Sequence, residues 1–388
     1  MGLRTETAAM TPPEILRSLF ATAVAAAQPD RRIPPLLPPP PQGKTVVVGA
    51  GKSAAAMARV VEQAWSGPLS GVVVTRYGHQ VPTAHIEVLE AAHPVPDAQG
   101  MSAAERILAT VAPLGAEDLV ICLISGGGSA LLTLPPEGIA LAELAEINRQ
   151  LLRSGADITE MNTVRKTLSR SSGGRLAAAA YPAQVVTLLI SDVPGDDLRA
   201  IASGPTVGDR VTAQDALAIL QRYAIPIPPA VADYLQRDPN PVIAPGDPRL
   251  GTTTHHLIAT PQQSLEAAAA TAEALGYRPL ILGSALEGEA KQVGLVHGGI
   301  ARQVVQYGQP IAPPCVLLSG GETTVTVTGA AGRGGRNGEF LLSLAVALKG
   351  LDQVWAIACD TDGIDGSEDN AGALITPDIL QNARHQGL

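Results

Sequence analysis

A short loop rich in glycine and arginine, Gly332–Asn337, directly precedes an apolar stretch that predicts a helix. The loop contains Arg333 and Arg336, whose planar guanidinium groups can each form paired hydrogen bonds with a carboxylate or a phosphate. Glycine amides and the N-terminus of a helix also attract anions. The loop, with Asn337 at its end, therefore predicts a site for a phosphate or carboxylate group. The alternative is a solvated loop whose arginines face water.

The segment Gly49–Ala54, GAGKSA, follows an apolar strand and opens an alanine-rich helix. It fits the relaxed dinucleotide-binding fingerprint, in which Gly49 and Gly51 allow the backbone to approach a pyrophosphate. It is not a Walker A loop, because Val46 stands where the first glycine belongs. Lys52 lies in the first helical turn, where a cation opposes the helix dipole, so we expect a bound anion beside it.

The next predicted strand, Gly71–Arg76, bears on which nucleotide this fingerprint would bind. Dinucleotide-binding folds place an acidic residue after that strand to bind the ribose of NAD. Here the strand ends in Thr75 and Arg76, which disfavours NAD and leaves NADP open. A plain tight turn without a ligand is the alternative for the whole segment.

A second glycine-rich junction consists of Ser125, Gly126, Gly127, Gly128 and Ser129, between an apolar strand and a helix. Three consecutive glycine amides and two hydroxyl groups at a helix start predict a phosphate-binding loop. Glycine triplets also occur in ordinary turns, which is the alternative interpretation.

Carboxylates follow two other apolar strands. Asp192 ends one of them, where open α/β sheets bind their ligands, and it could hold Mg²⁺ or accept a hydroxyl proton, or alternatively cap the following loop. The acidic residues that follow the other strand are Asp360, Asp362, Asp365, Glu368 and Asp369. They do not fit an EF-hand loop, because Ile364 stands at its fifth position. Asp360 and Asp362 predict a metal or hydroxyl site, or alternatively turns built on Asp-Gly pairs.

Two further polar residues have competing interpretations. Arg165 lies on a predicted helix with Lys166 and Arg170 on neighbouring turns, which makes a basic edge that either binds a ligand or faces solvent. His93 lies in a turn-rich segment, and we interpret it as a hydrogen-bonding loop residue rather than a catalyst.

Turn and helix signals predict the elements that carry the second half of the chain. Gly320-Gly321 between two β-rich runs predicts a hairpin, at which we place Gly321 and Glu322 as binding residues. Thr252–Leu282 predicts a new β-α-β unit, and Glu287–Tyr307 predicts a helix interrupted near Gly298-Gly299.

Length and composition predict two domains of the α/β class. The chain has 388 residues, and a proline-rich stretch between residues 226 and 251 separates predicted domains at 1–240 and 250–388. Only two Phe and two Trp occur, so the core must consist of Ala, Leu, Val and Ile, which suits parallel strands layered with helices.

Charge and cysteine content exclude several classes of protein. A net charge of −9 argues against a nucleic-acid partner. Three scattered cysteines argue against a disulfide framework or a zinc site. We find neither a signal peptide nor an apolar span of membrane length, so we expect a cytoplasmic protein without a membrane partner. A homodimer is compatible with the sequence.

Several of these segments together resemble one family, the glycerate 2-kinases (class II glycerate kinases), whose C-terminal half is the MOFRL domain. The segments that carry the resemblance are VVVGAGKSAAAMA, LISGGGSALL, SDVPGDDLRAIASGPT, LLSGGETTVTVTG, GRGGRNGE and DTDGIDGSEDNAGA. They occur in the family's order, and the resemblance extends from about residue 10 to residue 376.

The resemblance implies transfer of phosphate from ATP, with Mg²⁺, to the 2-hydroxyl of D-glycerate, giving 2-phosphoglycerate. It implies a Rossmann-like N-terminal domain, a smaller mixed α/β C-terminal domain and a cleft between them. The family's catalytic lysine matches Lys52 and its catalytic arginine matches Arg333, with Arg336 as the alternative. We therefore expect Lys52 and Arg333 to face each other across the cleft, with Asp192 as a third catalytic residue. Asp360 and Asp362 are its rivals for Mg²⁺.

The sequence departs from the family pattern at several places. Thr167 and Ser172 stand where relatives carry cations, which makes the basic edge weaker, and Ala92 replaces a glycine. Relatives continue for some tens of residues beyond the position of Leu388, so we expect the C-terminal sheet here to lack a strand. Two rival functions stay open: an NAD(P)H-dependent hydroxypyruvate reductase, and a binding protein without catalysis.

Overall fold

The computed structural model describes residues 10–327, 333–366 and 369–387. The helices are α1 (Pro12–Ala26), α2 (Pro29–Arg32), α3 (Ala54–Ala64), α4 (Ala98–Val111), α5 (Gly128–Leu131), α6 (Leu141–Ser154), α7 (Ile158–Thr167), α8 (Arg175–Ala180), α9 (Ala213–Arg222), α10 (Pro229–Arg237), α11 (Pro261–Ala274), α12 (Ala290–Tyr307), α13 (Arg336–Leu348) and α14 (Ile379–His385). The strands are β1 (Thr45–Ala50), β2 (Ser70–Arg76), β3 (Ile86–Ala91), β4 (Leu119–Ile124), β5 (Gln184–Ile190), β6 (Thr253–Ala259), β7 (Arg278–Glu289), β8 (Cys315–Thr324), β9 (Ala356–Cys359) and β10 (Gly372–Ile375).

Residues 28–260 form one compact unit around a six-stranded sheet. Its strand order is β3-β2-β1-β4-β5-β6, and every neighbouring pair is parallel. Successive side chains of a strand point to opposite faces, so Val46 and Val48 pack with α4 and α8 on one face while Val47 packs with α3 on the other. This three-layer arrangement confirms the predicted Rossmann-like fold.

A group of helices inserted between β4 and β5 and after β5 has a core of its own. Residues of α6, α7, α9 and α10 form one buried apolar cluster. The buried Lys166 on α7 ties this group to the loop after β5: its Nζ lies 2.6 Å from Asp209 Oδ2 and donates to Arg199 O at 3.0 Å. A buried charge needs such a partner, so the pair fixes the position of that loop.

The strand β6 belongs to this first unit, contrary to our prediction that Thr252–Leu282 opens the second domain. It pairs in parallel with β5 from Val185↔Thr253 to Ile190↔Ala259 and is the outermost strand of the sheet on that side. The proline-rich stretch before it therefore does not mark the boundary between the two units, which lies at residues 260–261.

The second, smaller unit joins α1 to residues 261–388. Ile15 and Leu19 of α1 pack on Ala268 and Ala272 of α11. The N-terminal helix therefore belongs to this unit, whereas we predicted it in the first domain, residues 1–240. Its parallel pair β7-β8, antiparallel pair β9-β10 and packed helices α12 and α13 confirm the predicted smaller α/β part.

The predicted hairpin at Gly320-Gly321 is wrong. β8 continues through both glycines and pairs in parallel with β7, with register shifts that bring Leu286 opposite Gly321. A Cβ at Gly321 would lie 2.0 Å from Leu286 O, so the glycine permits a close approach of two strands.

The predicted interruption of the following helix is also wrong. α12 runs unbroken through Gly298, which is buried against α13: a Cβ there would lie 2.5 Å from the Cβ of Ala347. The glycine thus serves close packing of the two helices. Within the described ranges, none of the helices combines the length and hydropathy that a membrane span requires.

Candidate active site

The carboxyl ends of β1, β4 and β5 lie side by side at one edge of the six-stranded sheet, because these strands are neighbours and parallel. The strand order reverses between β1 and β4. From β1 the chain adds β2 and β3 on one side of the sheet, and from β4 it adds β5 and β6 on the other side. Such a switch point leaves a crevice, and open α/β sheets bind ligands there.

The backbone of Lys52 is fixed at this crevice from both sides. Its amide donates to Gly126 O at 2.8 Å, and its carbonyl accepts from Thr75 Oγ1 at 3.1 Å. Its side chain lies over Gly127, where φ is +81° and a Cβ would be 3.3 Å from Lys52 Cγ. The glycine at position 127 therefore leaves room for the lysine as well as a left-handed backbone.

Asp192 lies against Gly126, the residue before Gly127 in the loop after β4. A Cβ at Gly126 would fall 1.8 Å from Asp192 Oδ2, so only glycine lets the carboxylate occupy this position. The residue is exposed to solvent. Adjacent glycines thus bring a cation from the end of β1 and a carboxylate from the end of β5 to the loop after β4.

His93 borders the same loop, although we interpreted it as an ordinary loop residue. A Cβ at Gly127 would lie 3.0 Å from His93 Cδ2 and 3.1 Å from His93 Nε2. The sequence held a signal for it: His93 follows the end of β3 by two residues, and the strand-end rule that singled out Asp192 applies to it equally.

Three amides in the turn that leads into α3 are already hydrogen-bonded within the protein. Those of Lys52, Ser53 and Ala54 donate to Gly126 O, Ser125 Oγ and Gly51 O at 2.8, 3.0 and 3.1 Å. A dinucleotide pyrophosphate would need these donors. These three amides are therefore not available to a pyrophosphate, whereas those of Ala55 and Ala56, in the first turn of α3, donate to no residue in the described part of the chain.

The two predicted binding glycines of this turn serve strand packing. A Cβ at Gly49 would lie 2.3 Å from Leu123 O, and one at Gly51 would lie 2.2 Å from Ser125 Oγ. By contrast, the amides of Gly126 and Gly127 donate to no other residue in the described part of the chain. Donors for a phosphate thus occur in the loop after β4 as well as in the first turn of α3.

A polar network extends from the start of α5. Ser129 Oγ lies 2.8 Å from Ser203 Oγ, and Ser203 Oγ donates to Asn162 Oδ1 at 3.4 Å. Gly128 is pressed against Ala202, whose Cβ would be 2.5 Å from a Cβ at Gly128. Ala202 and Ser203 both have a left-handed backbone, with φ of 50° and 61°. Such strain concentrates at functional sites.

Arg165 ends this network. Its Nε donates to Asn148 Oδ1 at 2.8 Å and its Nη1 to Asn162 Oδ1 at 3.5 Å. Burial lowers the pKa of Arg165 to about 10. Among the described residues both partners are neutral amides, and no carboxylate lies within ion-pair distance. An anionic ligand would compensate this charge.

In the second unit, the predicted anion site at the start of α13 is occupied by the protein's own Asp365. This carboxylate is 3% exposed. It accepts hydrogen bonds from the amide and side chain of Asn337 at 2.9 and 3.1 Å and from the amide of Gly338 at 2.9 Å. The donors that we expected to bind a ligand, Asn337 included, therefore hold an internal cap.

Arg336 is paired within the same unit. It donates to the Glu322 carboxylate, to Thr323 O at 3.2 Å and to Asp360 Oδ2 at 3.5 Å. Burial would lower the pKa of Arg336, but the Glu322 and Asp360 carboxylates outweigh it and raise that pKa. Arg336 and Glu322 thus compensate each other. Arg333 is exposed, and its predicted position opposite Lys52 stays a prediction.

The carboxylates predicted to bind a metal in this unit make turn contacts. Asp360 Oδ1 accepts from the Asp362 amide at 3.2 Å, and Asp362 Oδ1 accepts from the Ile364 amide at 3.0 Å. Glu368 and the predicted loop residue Gly332 lie outside the described residues. Across residues 10–327, 333–366 and 369–387, no three His, Cys, Asp or Glu side chains cluster closely enough to hold a metal by themselves.

Comparisons with known proteins match both parts of the chain. The family model described as a domain of unknown function, DUF4147, matches residues 15–236, and the MOFRL family model matches residues 315–388. A protein of Agrobacterium vitis, provisionally named a hydroxypyruvate reductase, is 54% identical over 97% of this chain and 85% of its own length.

Two further matches carry a kinase name. The glycerate 2-kinase of Pyrococcus horikoshii is 41% identical over 98% of this chain and 89% of its own length. The crystal structure of glycerate kinase from Thermotoga maritima superimposes with a TM-score of 0.81 at 35% identity, covering 96% of this chain and 89% of that one.

The internal cap of α13 gives a testable prediction. Because Asp365→Ala leaves the amides of Asn337 and Gly338 without an acceptor, it should lower the free energy of unfolding by about 1–3 kcal/mol, whereas Asp365→Asn should lose less. Inorganic phosphate should raise the melting temperature of the alanine variant more than that of the wild type, since the vacated amides can bind it. Equal phosphate effects on the two proteins would contradict the assignment of these donors to Asp365.

Proposed function

The chain belongs to the glycerate 2-kinase (class II glycerate kinase) family with a MOFRL domain, and on that premise we propose that it transfers phosphate from ATP to the 2-hydroxyl of D-glycerate. The products are 2-phosphoglycerate and ADP. The observation that carries the proposal is the convergence of Lys52 and Asp192 on Gly126-Gly127, beside glycine amides with no other described acceptor. Phosphoryl transfer depends mainly on positioning and on neutralising charge, which this arrangement supplies.

Lys52 is the residue that we assign to the transferring phosphoryl group. Its ammonium is a compact cation on a backbone held by Gly126 O and Thr75 Oγ1. In the transition state, negative charge is spread over the three equatorial oxygens of the phosphoryl group. A fixed cation beside these oxygens therefore lowers the barrier. The amides of Gly126 and Gly127 would hold a phosphate oxygen of ATP in the same loop.

Asp192 suits Mg²⁺ that arrives with the nucleotide. Such Mg²⁺ usually takes only one or two protein carboxylates, its other ligands being phosphate oxygens and water. Asp192 is exposed beside the glycine amides. Asp196 lies four residues later in the chain, and its buried Oδ1 atom has no hydrogen-bond partner within the described residues. When bound, Mg²⁺ neutralises phosphate charge, which would otherwise be repelled by Asp192.

Arg165 is assigned to the carboxylate of D-glycerate. Its guanidinium has neutral partners and is linked through Asn162 to the Ser129–Ser203 pair, so a substrate anion can complete its interactions. The planar fork matches a carboxylate, and the phosphates already have Lys52 and the glycine amides.

A hydroxypyruvate reductase is the second candidate, favoured by the name of the Agrobacterium vitis relative. It would bind NAD(P)H at the turn after β1. Two observations speak against that: the amides of Lys52, Ser53 and Ala54 in this turn are hydrogen-bonded internally, and β2 ends in Thr75-Arg76 without a carboxylate for ribose. A binding protein without catalysis would bind ATP and glycerate and form no product.

The three functions give different results in one experiment. We expect protein, ATP, Mg²⁺ and D-glycerate to give ADP and a phosphoglycerate whose phosphorus couples to the proton on C2 in ³¹P–¹H NMR. Oxidation or reduction of a nicotinamide cofactor with glycerate or hydroxypyruvate, without phosphoglycerate formation, would contradict the kinase proposal. ATP- and glycerate-dependent melting shifts without any product would support the binding protein instead.

Replacing Lys52 tests its assignment. Lys52→Ala should lower kcat by about 10³-fold, because a cation on the transferring group is lost. Lys44→Ala is the matched control: Lys44 is exposed immediately before β1, at the opposite edge of the sheet, and its replacement should leave kcat unchanged. Near-full kcat in Lys52→Ala would show that another group neutralises the phosphoryl charge.

Replacing Arg165 tests the carboxylate site. Arg165→Gln keeps a hydrogen-bonding side chain but removes the charge, so the KM for D-glycerate should rise about 10-fold or more while that for ATP changes little. The exposed Arg153 on α6 offers the control Arg153→Gln, which should alter neither KM. A rise confined to the KM for ATP would move Arg165 to the nucleotide phosphates.

A further inference from the structure

The imidazole of His93 reaches the loop that we assign to phosphoryl transfer. It follows β3, whose carboxyl end lies at the same edge of the sheet as those of β1, β4 and β5. The Cδ2–Nε2 edge of the ring is turned toward Gly127, at 3.0 and 3.1 Å from the position of a Cβ. Lys52 Cγ borders that same point at 3.3 Å, so the two side chains flank one glycine.

The charged groups around His93 come from three neighbouring segments. Lys52 lies beside it from the turn after β1, and Asp192 lies against the next glycine from the loop after β5. On its own loop, Asp97 accepts hydrogen bonds from the Ala92 amide, from the Gly100 amide at 2.9 Å and from Tyr77 Oη at 2.8 Å. Asp97 thus anchors the backbone directly before His93 and caps α4.

We infer that His93 is a catalytic residue that accepts the proton of the substrate hydroxyl through Nε2 during phosphoryl transfer. The inference rests on the proposed function. In the step, the hydroxyl oxygen forms a bond to the γ-phosphorus of ATP, and the bond from that phosphorus to the β,γ-bridging oxygen breaks. The hydroxyl proton passes to Nε2, ADP leaves with the electron pair of the broken bond, and the imidazolium later releases its proton to solvent.

The neighbours of His93 are less suited to this proton. Lys52 must stay protonated to neutralise the phosphoryl oxygens, so it cannot accept one. Asp192 is the carboxylate that suits Mg²⁺, and carboxylates are weak bases, with a pKa near 4 in model peptides. An imidazole changes protonation near neutral pH and is the side chain most often used for such transfers.

His93→Gln separates proton transfer from hydrogen bonding, because glutamine donates and accepts hydrogen bonds but cannot take up a proton at neutral pH. We expect kcat to fall about 10²-fold, at the lower end of general-base effects, with both KM values little changed. In the wild type, kcat should rise with pH as the imidazole loses its proton, and His93→Gln should lack that rise.

The control is His85→Gln, an equivalent change of an exposed histidine directly before β3, at the opposite edge of the sheet. It should keep both kcat and the pH profile. A matched melting temperature for the two variants and the wild type would show that the loss in His93→Gln is not one of folding.

The outcomes distinguish this inference from the function on which it rests. Wild-type turnover together with unchanged kcat and pH profile in His93→Gln would overturn the role of His93 and leave the kinase proposal intact. A kcat loss with an unchanged pH profile would also overturn proton transfer, since a merely positioning histidine gives that result. Absence of phosphoglycerate with the wild type would overturn both.

Discussion

The candidate active site depends on the close contact between the loops that follow β1 and β4. Side chains larger than hydrogen are excluded at Gly51 by Ser125 and at Gly126 by the Asp192 carboxylate. With those positions filled by glycine, the Lys52 amide reaches Gly126 O and the lysine side chain can cross Gly127 beside His93. One short stretch of backbone therefore assembles a cation, a carboxylate and an imidazole from three different strand ends.

A second constraint holds the far side of this site. The segment Ala202–Gly204 keeps a left-handed backbone, which costs about 1–2 kcal/mol for each residue other than glycine. The carbonyls of Ser203 and Gly204 accept hydrogen bonds from the amides of Gly173 and Gly174, and the buried Lys166 donates to the carbonyl of Arg199 just before the segment. These contacts keep Ser203 against Ser129 and so connect the loop after β4, through Asn162, with the guanidinium of Arg165.

Local patterns in the sequence were sufficient for the sheet and for much of this site. Apolar strands followed by glycines predicted the junctions at Lys52 and Ser125, and the strand-end rule placed Asp192. Contacts between distant residues were not predictable in the same way. The glycines at 320–321 match a hairpin pattern but serve the approach of Leu286, and the helix start at Arg336 attracts an anion that proves to be Asp365. The position of His93 beside Gly127 was not predicted, because its segment is rich in turn residues and the order of the strands was unknown.

The most direct test of the account is a crystal structure of the protein with ADP, Mg²⁺, aluminium fluoride and D-glycerate, in which the metal fluoride imitates the transferring phosphoryl group. We expect the fluoride within hydrogen-bonding distance of Lys52 Nζ beside Gly126 and Gly127, with the 2-hydroxyl of glycerate in line with it. A fluoride bound at another edge of the sheet, without contact to Lys52 or to the loop after β4, would contradict it.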